Sequence, residues 1–401
     1  MARLGFWSRA IESGGWMKHL YLDWAATSPI HPEVANLQRQ VAEEIFGNPS
    51  SIHAWGLEAR ELLESCRKKC SKLLGSKETQ VIFTGGGSES NNLVITSFLL
   101  KASPGHAIVP LFEHASVYEP SRILERFGWE VTRVPAGIDG RIEPERIRVA
   151  LKKNTALVTL MLVNNETGAI QPIEEVVQRI RAQEGRPVHI HMDAVQGVGK
   201  IPVHFLELGI DSLSVSAHKF RGPRGVGILL VKKSLSSFFT GGGQESGVRS
   251  GTENVPGIVA MTRALELAIE GMEQNRSQVE RAMKVLLSRV QECKECKVLP
   301  ESRLHTPSTF SPYIVSLAFP PIPGEVLVRV LNEHGYGVST GSACSSRKKR
   351  DTRVLEASGV STSLAFSSIR VSLGSGVTEE QMENFADILL EEASILYRAA
   401  K

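Results

Sequence analysis

Apolar residues recur along this chain with two different periods, and the places where the period changes mark its elements. Pro32 opens a stretch in which Val34, Leu37, Val41 and Ile45 follow at steps of three and four, the spacing that lines one face of a helix. A second helical pattern runs through Leu62, Leu63, Cys66, Cys70 and Leu73 to Gly75. After that, short apolar runs at 81–83, 107–110, 131–134, 157–163, 188–192, 213–215 and 226–231 alternate with helical stretches. Strands covered by helices on both faces have no polar side to show, so this alternation predicts an α/β fold with a seven-stranded, mainly parallel sheet.

From about Pro256 the pattern changes again. A helical stretch through Leu265, Leu267 and Ile269 leads into a charged segment at 273–297, which reads as a connecting helix. Apolar runs at 313–319 and 369–373 follow, and a last helix opens with Thr378 and Gln381 in capping-box spacing, its stripe made by Met382, Phe385, Leu389 and Leu396. The pattern predicts an N-terminal extension over 1–20, a large domain over 21–275 and a smaller α+β domain over 276–401, with 21–31 packing against the smaller one.

Composition narrows the class without naming a function. With 401 residues, 42% hydrophobic and 22% charged, the chain is an ordinary globular protein long enough for two or three domains. A net charge of +3 gives no footprint for nucleic acid. Five cysteines without a regular framework point to free thiols in a reducing compartment such as the cytoplasm. No apolar run reaches the roughly 18–20 residues of a membrane span. The segment MARLGFWSRAIESGGW lacks the apolar core of a secretory signal; its composition also fits an organellar presequence, but an extension ahead of Met17 is the simpler reading.

Candidate chemistry gathers at predicted strand ends. The Thr84-Gly85-Gly86-Gly87-Ser88 loop lies between a strand and a helix, where bare N–H groups and the helix dipole suit a phosphate; it matches neither a Walker loop nor GxGxxG, and alone it is equally a flexible turn. Asp193 and Gln196 follow the predicted strand at 188–192, and Ser216, His218 and Lys219 follow the one after. An open α/β sheet binds ligands at that edge. A phosphate cradle, a carboxylate and a lysine together are what pyridoxal 5'-phosphate requires: the lysine forms a Schiff base and the acid keeps the pyridine nitrogen protonated.

The motifs YLDWAATSP, FGNPSSIHAWG, FTGGGSESNN, EHASV, VNNETG, HMDAVQGVGK, SAHKFRGPRGVG, GGGQESGVRSGTEN, STGSACSS and SSIRVSLG occur in one order from Tyr21 to about Leu390. In this the chain resembles the cysteine desulfurases of the class V aminotransferase group, in the branch that supplies sulfur for iron–sulfur clusters. The resemblance implies the fold type I architecture of pyridoxal phosphate enzymes, a homodimer, L-cysteine as substrate and an acceptor protein such as an iron–sulfur scaffold. It implies that Lys219 carries the cofactor, that Asp193 pairs with its ring nitrogen, and that His114 stacks on the ring and transfers protons. Gly87, Ser88, Ser216 and His218 would bind the phosphate, Gln196 the ring hydroxyl, and Thr252 the phosphate of the partner subunit. Asn165 and Arg370 would hold the substrate carboxylate.

Cys344 separates desulfuration from transamination. Small residues and the run Arg347-Lys348-Lys349-Arg350 surround it, a setting that favours an accessible thiol of lowered pKa over a buried one. The expected product is a persulfide on Cys344, with L-alanine released. Three features depart from the family pattern: Arg221 and Ser246 replace a usual Tyr and Arg, and the basic run suggests an acidic partner surface. Selenocysteine lyase and a relative that does not use Cys344 are the alternatives within the chemistry; a Cys344–His114 hydrolase and a sulfur carrier lie outside it. Cys293 and Cys296 have metal-ligand spacing but no second pair nearby unless Cys66 and Cys70 join them, so no metal is assigned.

Overall fold

The structure, a computed structural model, describes residues 20–76, 80–183, 187–341 and 352–399. After strand β1 (Leu20–Tyr21) come helices α1 (Pro32–Glu44) and α2 (Ala54–Leu73), then β2 (Gln80–Thr84), α3 (Gly87–Ser97), β3 (His106–Pro110), α4 (Ala115–Arg126), β4 (Glu130–Val134) and α5 (Pro144–Ala150). Strand β5 (Thr155–Met161) leads through α6 (Ile173–Arg181) to β6 (His189–Asp193), β7 (Ser212–Ser216) and β8 (Gly227–Val231). These seven, β2 to β8, form one sheet in the order β2-β8-β7-β6-β5-β3-β4. Only β8 runs against its neighbours, so the sheet is mixed but mostly parallel, and the α/β expectation holds. Every residue of β5, β7 and β8 is buried, the threonines of β5 and the serines of β7 included.

Two helices, α7 (Val255–Glu270) and α8 (Met272–Gln291), replace the single connecting helix that the periodicity predicts, because the chain breaks at Gly271. The first packs in the large core with Val34 and Val41 of α1; the second contributes Val279, Met283 and Leu286 to a separate core. That second core is built on the antiparallel strands β9 (Lys297–Leu299), β10 (Ile314–Ala318) and a later strand. After β10 come α9 (Gly324–Glu333), β11 (Tyr336–Gly337), α10 (Arg353–Ala357), α11 (Thr362–Phe366), β12 (Ser368–Ser372) and α12 (Glu379–Ala399). The sheet order here is β12-β10-β9. Helix α12 opens on the capping box: Gln381 N donates to Thr378 Oγ1 at 3.2 Å and Thr378 N to Gln381 Oε1 at 2.9 Å.

The N-terminal segment joins this second core. Strand β1 pairs with β11, Leu22 and Ala25 are buried in the cluster, and Asp23 bridges to Ser372. The cysteine pairs lie apart: Cys66 and Cys70 in the large core, Cys296 against the second. Among the described residues no group of metal ligands is found, and no helix is long and apolar enough to cross a membrane.

Candidate active site

The C-terminal ends of β2, β3, β5, β6 and β7 face a cleft of about 660 Å³ that residues of the second core close from the other side. At the end of β2 the chain turns through Gly86, whose φ of 141° favours glycine. It then enters α3 at Gly87, where a Cβ would lie 2.6 Å from Val195 Cγ2. Glu89 braces the turn, accepting from Gly85 N at 2.9 Å and from Arg249 Nε at 3.0 Å. The first amides of α3 and the Ser88 side chain therefore meet the cleft at a helix N-terminus, where negative charge is favoured. Ser216, at the end of β7, and His218, in the following turn, line the same end. Burial first, then Lys219, push the His218 pKa down to about 4, and its Nδ1 lies 3.1 Å from Thr27 Oγ1.

Lys219 ends that turn, with Nζ donating to the carbonyls of Ala25 at 2.5 Å and Ala26 at 2.8 Å. Both belong to the N-terminal segment, so the second core reaches the lysine. Gln196 Nε2 donates to the same Ala25 carbonyl at 2.8 Å, and its Oε1 accepts from the buried Lys200 at 3.0 Å. Asp193 closes β6; its Oδ1 accepts from Val195 N at 3.0 Å and its Oδ2 from Asn91 Nδ2 at 2.7 Å. His114 caps α4 after β3, with Nδ1 at 2.7 Å from Ser116 Oγ. Burial lowers the His114 pKa against the pull of Asp193, so the imidazole is neutral at neutral pH.

Arg370 comes from β12. Its Nη2 donates to Asp23 Oδ1 at 2.7 Å and its Nη1 to the Asn165 carbonyl at 3.0 Å, while Nε has no partner. Asn165 lines the cleft with its buried Oδ1 likewise unpartnered. Gly87, Ser88, His114, Asn165, Asp193, Gln196, Ser216, His218, Lys219 and Arg370 thus share one cleft. Thr252 does not: it is exposed on the loop before α7 and is not part of the cleft wall. Cys344 and the run Arg347 to Arg350 lie outside the described residues.

Several cleft residues escape a reading of the sequence. Asn91 ties Asp193 to Ser116 and reads, by itself, as one more polar helix position. Glu113 is fully buried beside His114, and burial with the charge of Asp193 pushes its pKa up to about 8. Arg353 lies 4.1 Å from the centroid of the Tyr118 ring and donates to the Glu113 carbonyl at 3.0 Å. Glu113 opens the EHASV motif, and that position beside His114 is the one signal of it in the sequence.

The class-V aminotransferase family profile matches residues 20–385. The chain is 40% identical to the cysteine desulfurase IscS of Dictyoglomus turgidum over 377 residues, 93% of this chain and 94% of that protein. It is 35% identical to cysteine desulfurase IscS 1 of Archaeoglobus fulgidus over 390 residues, 94% and 99% of the two. A solved structure of a NifS-like protein superposes with a TM-score of 0.86 at 33% identity, covering 94% of this chain and all of that one.

Proposed function

The chain belongs to the class-V aminotransferase family and is a cysteine desulfurase, and we propose that it holds pyridoxal 5'-phosphate at the strand ends and passes the sulfur of L-cysteine to Cys344. The fit is chemical. The N-terminus of α3 faces the cleft, where its first amides suit an anionic group, with Ser88, Ser216 and His218 as further ligands. A carboxylate, an amine and a ring-hydroxyl ligand stand at Asp193, Lys219 and Gln196. When bound, the cofactor supplies a protonated ring that draws electrons from the substrate's α-carbon.

The rest of the work falls to side chains of this protein. Asp193 would keep the ring nitrogen protonated. Lys219 would anchor the cofactor and would be the base that moves the proton of the substrate's α-carbon. Arg370 and Asn165 hold the substrate carboxylate, their unpartnered Nε and Oδ1 being polar atoms that a ligand would satisfy. Neutral His114 exchanges a proton at the sulfur step. The Cys344 thiolate takes the sulfur: the substrate C–S bond breaks, an S–S bond forms on the enzyme, and L-alanine leaves. The persulfide then passes to an acceptor protein such as an iron–sulfur scaffold. Thr252 would reach the phosphate held by the partner subunit of a homodimer.

One observation carries this reading. Lys219, Asp193, His114 and Arg370 line a single cleft, and Gly341 and Arg353, which flank the segment containing Cys344, line it too. Reconstituted protein is expected to absorb near about 400 nm and to form alanine from L-cysteine. Lys219→Ala should abolish the band, and Cys344→Ser should keep the band but lose alanine. A protein that remains colourless overturns the reading.

A further inference from the structure

We infer that Asn91 is a positioning residue that couples the Asp193 carboxylate to the His114 imidazole and fixes the single proton of His114, His191 and His189 on Nε2. The inference deepens the reading of Asp193 and His114 given above, but its geometry stands without it.

The direction of each hydrogen bond follows from the one before. A carboxylate only accepts, so the Asn91 atom 2.7 Å from Asp193 Oδ2 is Nδ2. The second Nδ2 hydrogen goes to Ser116 Oγ at 2.8 Å. Both amide hydrogens are then committed, and Asn91 Oδ1 must accept from His191 Nε2 at 2.9 Å. Burial pushes the His191 pKa down to about 3, so the ring is neutral and its Nδ1 is bare. That Nδ1 accepts the one hydroxyl hydrogen of Ser212 at 2.8 Å. His189 Nε2, 2.8 Å from the same hydroxyl oxygen, can therefore only donate to it. His189 is itself neutral, its pKa held down to about 4 by burial.

The other branch closes in the same way. Ser116 Oγ receives from Asn91 and gives its hydrogen to His114 Nδ1 at 2.7 Å, which also accepts from Ser116 N at 3.1 Å. The neutral His114 ring is left with its proton on Nε2. Aligned donors polarise one another, so the path His189 to Ser212 to His191 to Asn91 delivers a strengthened donor to Asp193. One side chain on α3 thus sets the acceptor at the ring-nitrogen end of the cleft and the proton position of the candidate acid–base group.

The register of the sheet makes this arrangement possible. His191 is the Cα partner of Ser212 across β6 and β7, and both side chains are fully buried. Asn91, His191 and Ser212 are fully buried, and each of their side-chain polar atoms has a partner in the chain.

The test is the tautomeric state of the histidines in cofactor-free protein labelled with ¹⁵N-histidine, at pH 8, with His114→Asn, His189→Asn and His191→Asn for assignment. His114, His189 and His191 are expected to be protonated at Nε2 alone; Nδ1 protonation of any of the three overturns the inference. In Asn91→Leu, which keeps the size and removes the amide, His114 and His191 are expected to become tautomer mixtures. The same variant should bind pyridoxal phosphate roughly ten-fold or more weakly, as expected for a lost hydrogen bond to a charged group. Unchanged tautomers and unchanged cofactor affinity in this variant overturn the coupling. Expected tautomers in a protein that cannot be loaded with cofactor uphold the inference and overturn the proposed function, so the two failures are distinct.

Discussion

Arg370 and Asp23 meet across 347 residues of sequence: Nη2 donates to Oδ1 at 2.7 Å, so a carboxylate of the N-terminal segment orients the guanidinium that closes the cleft. The arginine side chain is 3% exposed and the aspartate 18%, which makes the pair a mostly dry one. Asp23→Ala should cost about 3 kcal/mol, the typical penalty for leaving a buried charge without its partner. It should also raise KM for L-cysteine, since Arg370 is no longer aimed. Asp23→Asn keeps an acceptor and should lose less. Urea unfolding of cofactor-free protein checks the first effect, and equal midpoints for all three proteins would show that the pair does not orient Arg370.

A backbone contact shapes the other end of the cleft. A Cβ on Gly227 would fall 2.6 Å from Gly86 Cα and 2.6 Å from the Val215 carbonyl oxygen. Gly227→Ala must therefore push β8 away from the turn before α3, costing roughly 1–3 kcal/mol as overpacking does. It should weaken cofactor binding as well, because Gly86 and Gly87 carry the cradle. Gly359→Ala is the control: its φ is 76° and nothing lies within 4 Å, so it should lose stability by backbone strain alone and leave cofactor titrations unchanged.

The seven strands are legible because each carries a short apolar run set between helical stretches, and the structure moves their bounds by only one or two residues. The residues at strand ends are legible too, since a lysine, a carboxylate and a glycine turn in one order imply a shared chemistry. What stays hidden depends on neighbours distant in sequence. Asn91 acquires a role only when β6 brings Asp193 and His191 to it, and His191 finds Ser212 only through the register of β6 on β7. Gly271 stops a helix whose apolar period runs on through it, so α7 and α8 read as one element. Arg249 gives no sign that it braces the glycine turn through Glu89.

The four consecutive cations Arg347 to Arg350 follow Cys344 closely, and an acidic acceptor surface would be drawn to them. Reversing these charges should slow sulfur transfer to an acidic acceptor protein and leave alanine formation with a small thiol acceptor unchanged. Raising the salt concentration should slow the parent's transfer in the same direction. Transfer at the parent rate in the charge-reversed enzyme would remove electrostatic docking as the explanation.

Glu113 supplies the clearest pH signature. Burial, then the neighbouring Asp193 charge, raise its folded pKa from 4.5 to about 8. Between those two values the folded protein keeps a proton there that the unfolded chain has lost. Stability from this group is therefore fully present below the unfolded pKa and falls as pH rises toward 8, at up to roughly 1.4 kcal/mol per pH unit. Glu113→Gln replaces the neutral acid with a neutral amide of the same shape and has no proton to lose. The difference in unfolding free energy between Glu113→Gln and parent should thus grow in favour of the variant from pH 5 to pH 8, and level off above. Histidine and lysine titrations are common to both proteins and cancel in that difference. A flat difference across the window, measured by urea unfolding of the cofactor-free proteins, would mean that Glu113 is ionised in the folded state, its charge met by Arg353.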